Sequence, residues 1–232
     1  MSTPAQILTV LAAVAVAAAA TWRVLRRRRD ARQRTTLLAA AHAARRDPLT
    51  GSGSRFAFHE AMATATSQRR RAAVILVNLD ESRPFVSRFG DRALDQLLVL
   101  IAGRVQHLAA AAGGSSFRLR RDELAAIVDR PITDATNLAA QLLAAVAEPT
   151  EIHLGGHPLT VTVSACAGVA ALTASGADDA RLTLVRSDTA MRSAKQAGRG
   201  QVAVFEPASA RRRSGASPSA PTDGNAEGGA AR

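Results

Sequence analysis

The middle of the sequence alternates between short apolar runs and longer stretches with helical spacing. The run "AAVILVNLD" at 72–80 is continuous and rich in branched aliphatic residues, which is typical of a buried strand. Paired apolar runs predict two hairpins, one turning at "RRDE" (120–123) and one over 151–170 that turns at Gly155 and Gly156. Helices are predicted at 54–68, 89–108, 133–148 and 181–199, and a last strand at 200–206. Strands that alternate with helices in this way imply an α/β fold with a mixed central sheet covered by helices.

The composition suits one ordinary domain plus extensions, because the chain has 232 residues and 47% of them are hydrophobic. Aromatic residues make up only 3% of the chain, so the core must be aliphatic and rich in alanine. Cys166 is the single cysteine, which excludes an internal disulfide and is compatible with a reduced, intracellular setting.

An uncharged segment near the N-terminus, "AQILTVLAAVAVAAAATW" at 5–22, predicts one transmembrane helix that precedes the folded domain. Its 18 residues are near the lower limit for a spanning helix, and Trp22 would lie at one interface. The segment 23–46 follows with nine arginines and one aspartate. Because positive residues stay on the cytoplasmic side, we expect residues 1–4 outside the cytoplasm and the domain inside it. The expected location is therefore the cytoplasmic membrane, spanned once.

The formal net charge of +11 is concentrated in the segment 23–46, which is interpreted as a basic juxtamembrane region and connector helix. Such segments bind anionic lipid headgroups or nucleic acid. We expect lipid headgroups, because the arginines directly follow the apolar segment, and we expect no nucleic acid partner. The folded domain is placed at 47–206. The tail at 207–232 is rich in small residues, proline and glycine, and is predicted to be disordered.

Six short motifs lie in order between residues 47 and 200. They are "DPLTGSGSRFAF", "NLD", "FGDRALDQLL", "RLRRDEL", "VTVSACAGVA" and "SDTAMRSAKQAGRG". Their order and spacing resemble the GGDEF domain of the diguanylate cyclase family, and six motifs in register are a specific match. "RLRRDEL" stands where that family has its GGDEF signature, so the signature here is degenerate, with arginine at both glycine positions.

The resemblance implies a fold like the palm of the nucleotide cyclases and the family's reaction, in which two GTP become cyclic di-GMP. Two subunits each bind one GTP, and the 3′-hydroxyl of each GTP attacks the α-phosphate of the other. Metal ions bridge carboxylates and the triphosphate, as in other two-metal phosphoryl transfers. Mg²⁺ is therefore the expected cofactor if activity or nucleotide binding is retained.

The acidic residues of the family site are only partly present. The resemblance makes Asp122 a metal ligand and, with Glu123, the catalytic pair of the signature. Asn78 replaces the aspartate that ligates the metal at the end of the family's strand, so a negative charge is missing there. Asp80 lies two residues further on, which is the same face of a strand. It could partly replace the lost ligand, or it could be an ordinary residue of the turn.

The residues that contact the nucleotide in the family are also only partly present. The resemblance assigns the guanine contacts to the positions of Val86 and Asp95, but valine cannot hydrogen-bond a base. Asp95 is then either a base contact or a surface acid of its helix. Arg83 and Lys195 stand at the positions that contact phosphates, and Lys195 is the only lysine of the chain. Arg199 is assigned to support of the helix and the dimer.

The two arginines of the turn are expected to disturb the site. If Arg120 and Arg121 take backbone angles reserved for glycine, each costs about 1–2 kcal/mol, and their side chains would fill the space of the nucleotide. Arginine could instead recognise phosphate or carboxylate in another pose. The family's inhibitory site for cyclic di-GMP is expected to be absent, because its two polar positions are Ala111 and Gly114.

The sequence therefore predicts a membrane-anchored, degenerate GGDEF domain protein with impaired catalysis, acting as a nucleotide-binding or regulatory module in cyclic di-GMP signalling. Its expected partners are GTP or another nucleotide, bound weakly, and a second GGDEF domain in a homodimer or heterodimer. Two alternatives are an active diguanylate cyclase and a protein-interaction scaffold that binds no nucleotide.

Overall fold

A computed structural model describes residues 43–172 and 179–206, together with residues 22, 23, 26 and 29. Apart from Trp22, the transmembrane segment predicted at 5–22 lies outside the described residues, as do most of the connector and the tail. Within the described ranges, no helix combines the length and the apolar character needed to span a bilayer.

The described part of the chain forms a domain of five helices and seven strands. The helices are α1 Arg55–Ser67, α2 Ser82–Phe89, α3 Asp91–Ala111, α4 Ile132–Ala147 and α5 Asp179–Ala197. The strands are β1 Ala73–Leu79, β2 Ser115–Arg120, β3 Glu123–Val128, β4 Thr150–Leu154, β5 His157–Val161, β6 Ala165–Ala171 and β7 Val202–Val204.

Five of the strands form the mixed central sheet that the sequence predicts, in the order β2-β3-β1-β6-β7. The pairs β2–β3, β3–β1 and β1–β6 are antiparallel, and β6–β7 is parallel. The aliphatic run that predicted a buried strand is the central strand β1. Helices cover both faces, so six of its seven residues are buried.

Each face of the sheet has its own apolar core. Ile75 and Val77 of β1 belong to the core that includes α3 and α4, whereas Val74 and Leu76 belong to the core that includes α1 and α5. This alternation is the period of two that a strand imposes on its side chains. Strand β1 therefore has α5 on one of its faces and α3 on the other.

The second predicted hairpin is correct at its turn and wrong in its extent. Gly155 and Gly156 both have positive φ, 58° and 87°, and connect β4 to β5. This hairpin forms a separate two-stranded sheet, and the chain then leaves it, so that the segment Ala165–Ala171 pairs with β1. The sequence pattern could not separate the two, because β5 and β6 follow each other after three intervening residues.

Helix α2 is an element that the sequence pattern did not predict. It has eight residues, which is too short for a clear helical period, and Gly90 with φ 84° separates it from α3. The rings of Phe85 and Phe89 lie 4.9 Å apart and pack against the core, so tertiary contacts hold this helix in place.

Candidate functional site

The end of β1 brings together two residues that are 117 positions apart in the chain. Lys195 lies in the last turn of α5, and its Nζ donates a hydrogen bond to Oδ1 of Asn78. The same Nζ lies 3.4 Å from the carbonyl oxygen of Leu79. The predicted phosphate-contact residue and the predicted metal-ligand position are therefore paired with each other.

Asp80 lies beside this pair and has several partners of its own. Its Oδ2 accepts hydrogen bonds from Oγ of Ser164 at 2.8 Å and from the backbone N of Gly200 at 3.2 Å. Its Oδ1 lies 4.0 Å from Nζ of Lys195. Asp80 thus connects the end of β1 to the loops before β6 and after α5.

Asp122 occupies the tight turn between β2 and β3. Ser82, the first residue of α2, donates its hydroxyl to Oδ2 of Asp122 at 2.5 Å. The backbone N of Leu79 donates to the carbonyl oxygen of Asp122 at 3.2 Å, which ties the turn to the end of β1. Sequence reasoning missed Ser82, since a lone serine after a strand gives no signal of a distant partner.

A groove of about 440 Å³ lies between this turn and α2, and we call it the Asp122 groove. It is lined by Ser82, Arg83, Val86, Ser87, Arg121 and Asp122. The structure therefore brings together the predicted residues Arg83, Val86 and Asp122. Asp95 does not line this groove and lies exposed on α3.

The two arginines of the turn differ from the sequence-based expectation. Among the described residues outside glycine, positive φ values occur at Arg69 and Glu81, so Arg120 and Arg121 avoid the left-handed region. A register shift between Arg118 and Arg120 accompanies the turn, and such an irregularity changes the local twist of the strands. The expected backbone penalty at both arginines is wrong.

The side chains of the two arginines also lie in different places. Arg121 lines the Asp122 groove and forms an ion pair with Asp91 at the start of α3. Nε of Arg120 lies 3.7 Å from Oε2 of Glu123, and the side chain of Arg120 is 70% exposed. Arg121 therefore lines the Asp122 groove and Arg120 does not, and the expected filling of the nucleotide's space stays a prediction.

Glu123 is separated from Asp122, although the two acids are adjacent in the sequence. It is 7% exposed and lines a second cavity of about 170 Å³, between the hairpin, α1 and α5. Burial raises the pKa of the Glu123 carboxyl; the nearby charge of Arg120 opposes this rise. The two acids of the signature thus line different cavities: Asp122 lies in the turn, and Glu123 is the first residue of β3.

A partly buried ion pair supports the turn and was not identified from the sequence. Arg118 of β2 lies 3.2 Å from Oδ1 of Asp47, and its guanidinium also donates to the carbonyl oxygen of Arg121 at 2.7 Å. Partial burial acts to raise the pKa of Asp47, but hydrogen bonds from Thr50 and Arg118 outweigh it and lower the pKa. The motif "DPLTG" therefore holds the signature turn in position.

One of the two positions of the predicted missing inhibitory site, Gly114, has no space for a side chain. Ala111 ends α3, and Gly114 precedes β2. A Cβ atom at Gly114 would lie 2.4 Å from the carbonyl oxygen of Ile127, so no side chain fits there without backbone movement. A polar side chain at this position would disturb the contact with β3.

The oxygen atoms near the end of β1 do not form a good site for Mg²⁺. Asn78 offers one neutral oxygen that already accepts from Lys195, and the Asp122 carboxylate accepts from Ser82. Mg²⁺ needs a near-octahedral set of oxygens, usually with one or two carboxylates free to bind it. No cluster of three or more His, Cys, Asp or Glu suited to a metal ion is present in the part of the chain that the structure describes. The residues present therefore do not fit the metal that the resemblance implies.

Comparisons with known proteins agree with this architecture. A family model described as "Diguanylate cyclase, GGDEF domain" matches residues 44–201. An uncharacterized 19.3 kDa protein of Streptomyces ambofaciens is 35% identical over 154 residues, which are 66% of this chain and 79% of that protein. Diguanylate cyclase TpbB of Pseudomonas aeruginosa is 30% identical over 176 residues, which are 72% of this chain but only 38% of TpbB.

A solved structure of the TpbB GGDEF domain has the same fold. It superposes with a TM-score of 0.61 at 28% identity, covering 72% of this chain and 98% of the solved chain. The family match extends over more than half of the 232 residues and contains the six motifs of the sequence. This chain therefore belongs to the diguanylate cyclase GGDEF domain family.

Proposed function

We propose that this protein is a catalytically impaired GGDEF domain protein that binds a nucleoside triphosphate and acts as a regulatory module in cyclic di-GMP signalling. The Asp122 groove supports this proposal most directly. Two cations, Arg83 and Arg121, line it together with Asp122, whereas Val86 stands where the family has a base contact. The groove thus keeps charge for phosphate and lacks a hydrogen-bonding partner for guanine.

The pairing of Asn78 with Lys195 supports the loss of catalysis. Phosphoryl transfer by two metal ions needs carboxylates that hold the ions against the triphosphate. Here the strand-end ligand is neutral and already has a hydrogen-bond partner in Lys195. We expect no measurable synthesis of cyclic di-GMP from GTP.

The surviving contacts determine the expected selectivity. Hydrogen bonds between arginine or lysine and phosphate are charge-assisted and stronger than neutral ones. A missing polar partner for a buried base edge costs about 1–3 kcal/mol. Binding should therefore depend more on the triphosphate than on the base, and added salt should weaken it because exposed charges are screened.

The proposal includes a membrane anchor at 5–22 and a second GGDEF domain as partner. The uncharged segment and the arginines that follow it support the anchor and contacts with anionic lipid headgroups. The family's reaction between two GTP-loaded subunits supports the choice of a GGDEF domain in a homodimer or heterodimer.

Calorimetry of the full-length protein with GTP and with ATP tests the proposal. We expect weak binding of both, similar affinities for the two, and still weaker binding in Lys195→Ala. The matched control is Arg192→Ala, which removes a charge from the same helix where the side chain is 74% exposed and paired with Asp188. A strong preference for GTP would contradict our interpretation of Val86, and no binding of either nucleotide would favour the scaffold.

A second candidate, an active cyclase, is favoured by the retained Asp122 at the edge of the groove. The test is incubation with GTP and Mg²⁺ followed by chromatographic detection of cyclic di-GMP. Product that disappears in Asp122→Ala would establish the active cyclase and reject impaired catalysis.

A further inference from the structure

We infer that the ammonium group of Lys195 takes the place of a divalent cation at the end of β1, so that this protein holds an anionic ligand without ligating Mg²⁺ itself. The inference rests on the proposed function only for the class of ligand. It concerns the same site, but binding of a metal ion at the end of β1 can be measured without any nucleotide.

The contacts of Lys195 are those of a bound cation. Its Nζ faces three oxygen atoms, namely Oδ1 of Asn78, the carbonyl oxygen of Leu79 at 3.4 Å and Oδ1 of Asp80 at 4.0 Å. An ammonium group has three donors and no acceptor, so it is suited to these oxygen partners. The side chain comes from the last turn of α5, which also satisfies the preference for cations at a helix C-terminus.

The charges around this position favour a monovalent cation. Asn78 contributes no negative charge. Among the residues that the structure describes, the carboxylate within 4.0 Å of Nζ is that of Asp80, whose other oxygen accepts from Ser164 and Gly200. Mg²⁺ gives up its water molecules reluctantly, and ligand charge determines how tightly such sites bind hard cations. An ion with two charges would have to displace Lys195 with little compensation.

The identity of the residue adds to this argument. Of the 30 Lys and Arg residues of the chain, 29 are arginine, and the single lysine is at position 195. A lysine ammonium is a compact point charge, whereas the guanidinium of arginine is a wide planar fork. The compact group suits a position from which one Nζ reaches both Oδ1 of Asn78 and the carbonyl oxygen of Leu79.

Asn78 is the residue that would decide between the two cations. Asn78→Asp adds the missing carboxylate beside the Leu79 carbonyl, without a change in side-chain size. The matched control is Gln68→Glu, which makes the same amide-to-carboxylate change at the exposed end of α1. Any gain in metal affinity that is specific to Asn78→Asp must come from the strand end.

The first experiment titrates the full-length protein with Mn²⁺ and follows free Mn²⁺ by electron paramagnetic resonance. We expect no stoichiometric binding by the wild type or by Gln68→Glu, and one Mn²⁺ per chain in Asn78→Asp, at least about tenfold tighter than in the control. Adding Lys195→Met to Asn78→Asp should tighten binding further, because the competing ammonium is gone. Circular dichroism confirms that each variant is folded.

Three results would overturn the inference. The first is one Mn²⁺ bound by the wild type and lost in Asp122→Asn. The second is a folded Asn78→Asp variant that binds no Mn²⁺, because the missing charge would then not explain the site. The third is unchanged Mn²⁺ affinity when Lys195→Met is added to Asn78→Asp.

The second experiment measures GTP affinity of the wild type in excess Mg²⁺ and in excess EDTA. We expect the two affinities to agree within about twofold, and a loss of more than about tenfold in EDTA, about 1.4 kcal/mol, would contradict the inference. If no nucleotide binds in either buffer, the proposed function fails, while the Mn²⁺ titration still decides whether Lys195 replaces the metal.

Discussion

Asn78 and Glu123 lie opposite each other in the register between β1 and β3, yet their side chains have different partners. Asn78 accepts a hydrogen bond from Lys195, and Glu123 is buried beside Arg120. Directly opposite residues of antiparallel strands share a face, so a polar pair lies on the face that otherwise packs against α1 and α5. Such a pair must be satisfied by specific partners, because burial of a charge without one is costly.

Glu123→Gln should stabilise the domain at neutral pH, where the buried carboxylate is unfavourable. Burial raises the pKa of Glu123, so between its ordinary and raised pKa the unfolded chain binds fewer protons than the folded one. The contribution of this group to stability therefore falls as the pH rises through that window. Thermal unfolding followed by circular dichroism should show a higher Tm for the variant at neutral pH and no difference at acidic pH below the ordinary pKa.

Glu151→Gln is the matched control, since the side chain of Glu151 is 62% exposed. Its Tm should equal that of the wild type at both pH values. A lower Tm of Glu123→Gln at neutral pH would show that the attraction of Arg120 outweighs the cost of burial.

At the scale of the elements, the contact between β6 and α5 depends on a residue without a side chain. A Cβ atom at Gly168 would lie 2.1 Å from the carbonyl oxygen of Ser187 and 2.3 Å from the backbone N of Met191. Both atoms are backbone of α5, so the helix itself would have to move. This close approach places the last turn of α5, with Lys195, against the end of β1.

Gly168→Ala should therefore destabilise the domain by about 1–3 kcal/mol, the usual cost of overpacking. Gly103→Ala is the matched control, because Gly103 lies inside α3 and its added Cβ would meet no atom within 4 Å. That control should stabilise the domain by about 0.5–1 kcal/mol through helix propensity. Urea unfolding of both variants measures the two effects, and equal stabilities would refute the close contact at Gly168.

Arg104 connects three elements on the opposite face of the sheet. From α3 it donates to the carbonyl oxygens of Ala145, Glu148 and Pro149 and to the hydroxyl of Thr150, at 2.8 to 3.1 Å. These acceptors include the end of α4, where backbone carbonyls have no partner inside the helix. One guanidinium thus fixes the position at which the chain turns from α4 into β4.

Arg104→Ala should lower the free energy of unfolding by about 2 kcal/mol, because hydrogen bonds to a charged donor contribute about 1.5–3 kcal/mol and some acceptors regain water. The exposed Arg92 of the same helix provides a control, Arg92→Ala, with an expected change near zero. Urea unfolding monitored by circular dichroism measures both. Unchanged stability of Arg104→Ala would mean that water replaces the guanidinium without cost.

At the scale of the whole molecule, charge and hydropathy are distributed unevenly. The residues before the domain combine the uncharged segment 5–22 with the nine arginines of 23–46, whereas the domain carries most of the acids. From this distribution we predict that the chain binds a bilayer at its N-terminal end.

Fractionation of cells that express the full chain should recover it with the membranes, and deletion of residues 1–30 should transfer it to the soluble fraction. Burial of the apolar segment in lipid is the physical reason. Deletion of 207–232 is the control and should not change the distribution. Recovery of the full chain in the soluble fraction would refute the membrane anchor.

Much of the fold could be predicted from local patterns. The branched aliphatic run predicted β1, helical spacing predicted α1, α3, α4 and α5, and Gly155 with Gly156 predicted the second turn. Helix α2 was not predicted, because eight residues are too few to show a helical period. Strand β6 was wrongly assigned to the hairpin, because its alanine-rich sequence contains no turn signal that separates it from β5. The resemblance to the family, rather than any local pattern, predicted that Asn78, Asp122 and Lys195 share one site.

By itself, the sequence determined which segments are strands and helices, because periodicity and turn residues act within a few positions of the chain. Only the tertiary structure decided which side chains meet. The pairing of Lys195 with Asn78, the hydroxyl of Ser82 on Asp122 and the separation of Arg120 from Arg121 depend on strand order, register and a bulge. These contacts join residues up to 117 positions apart, and no local pattern records them.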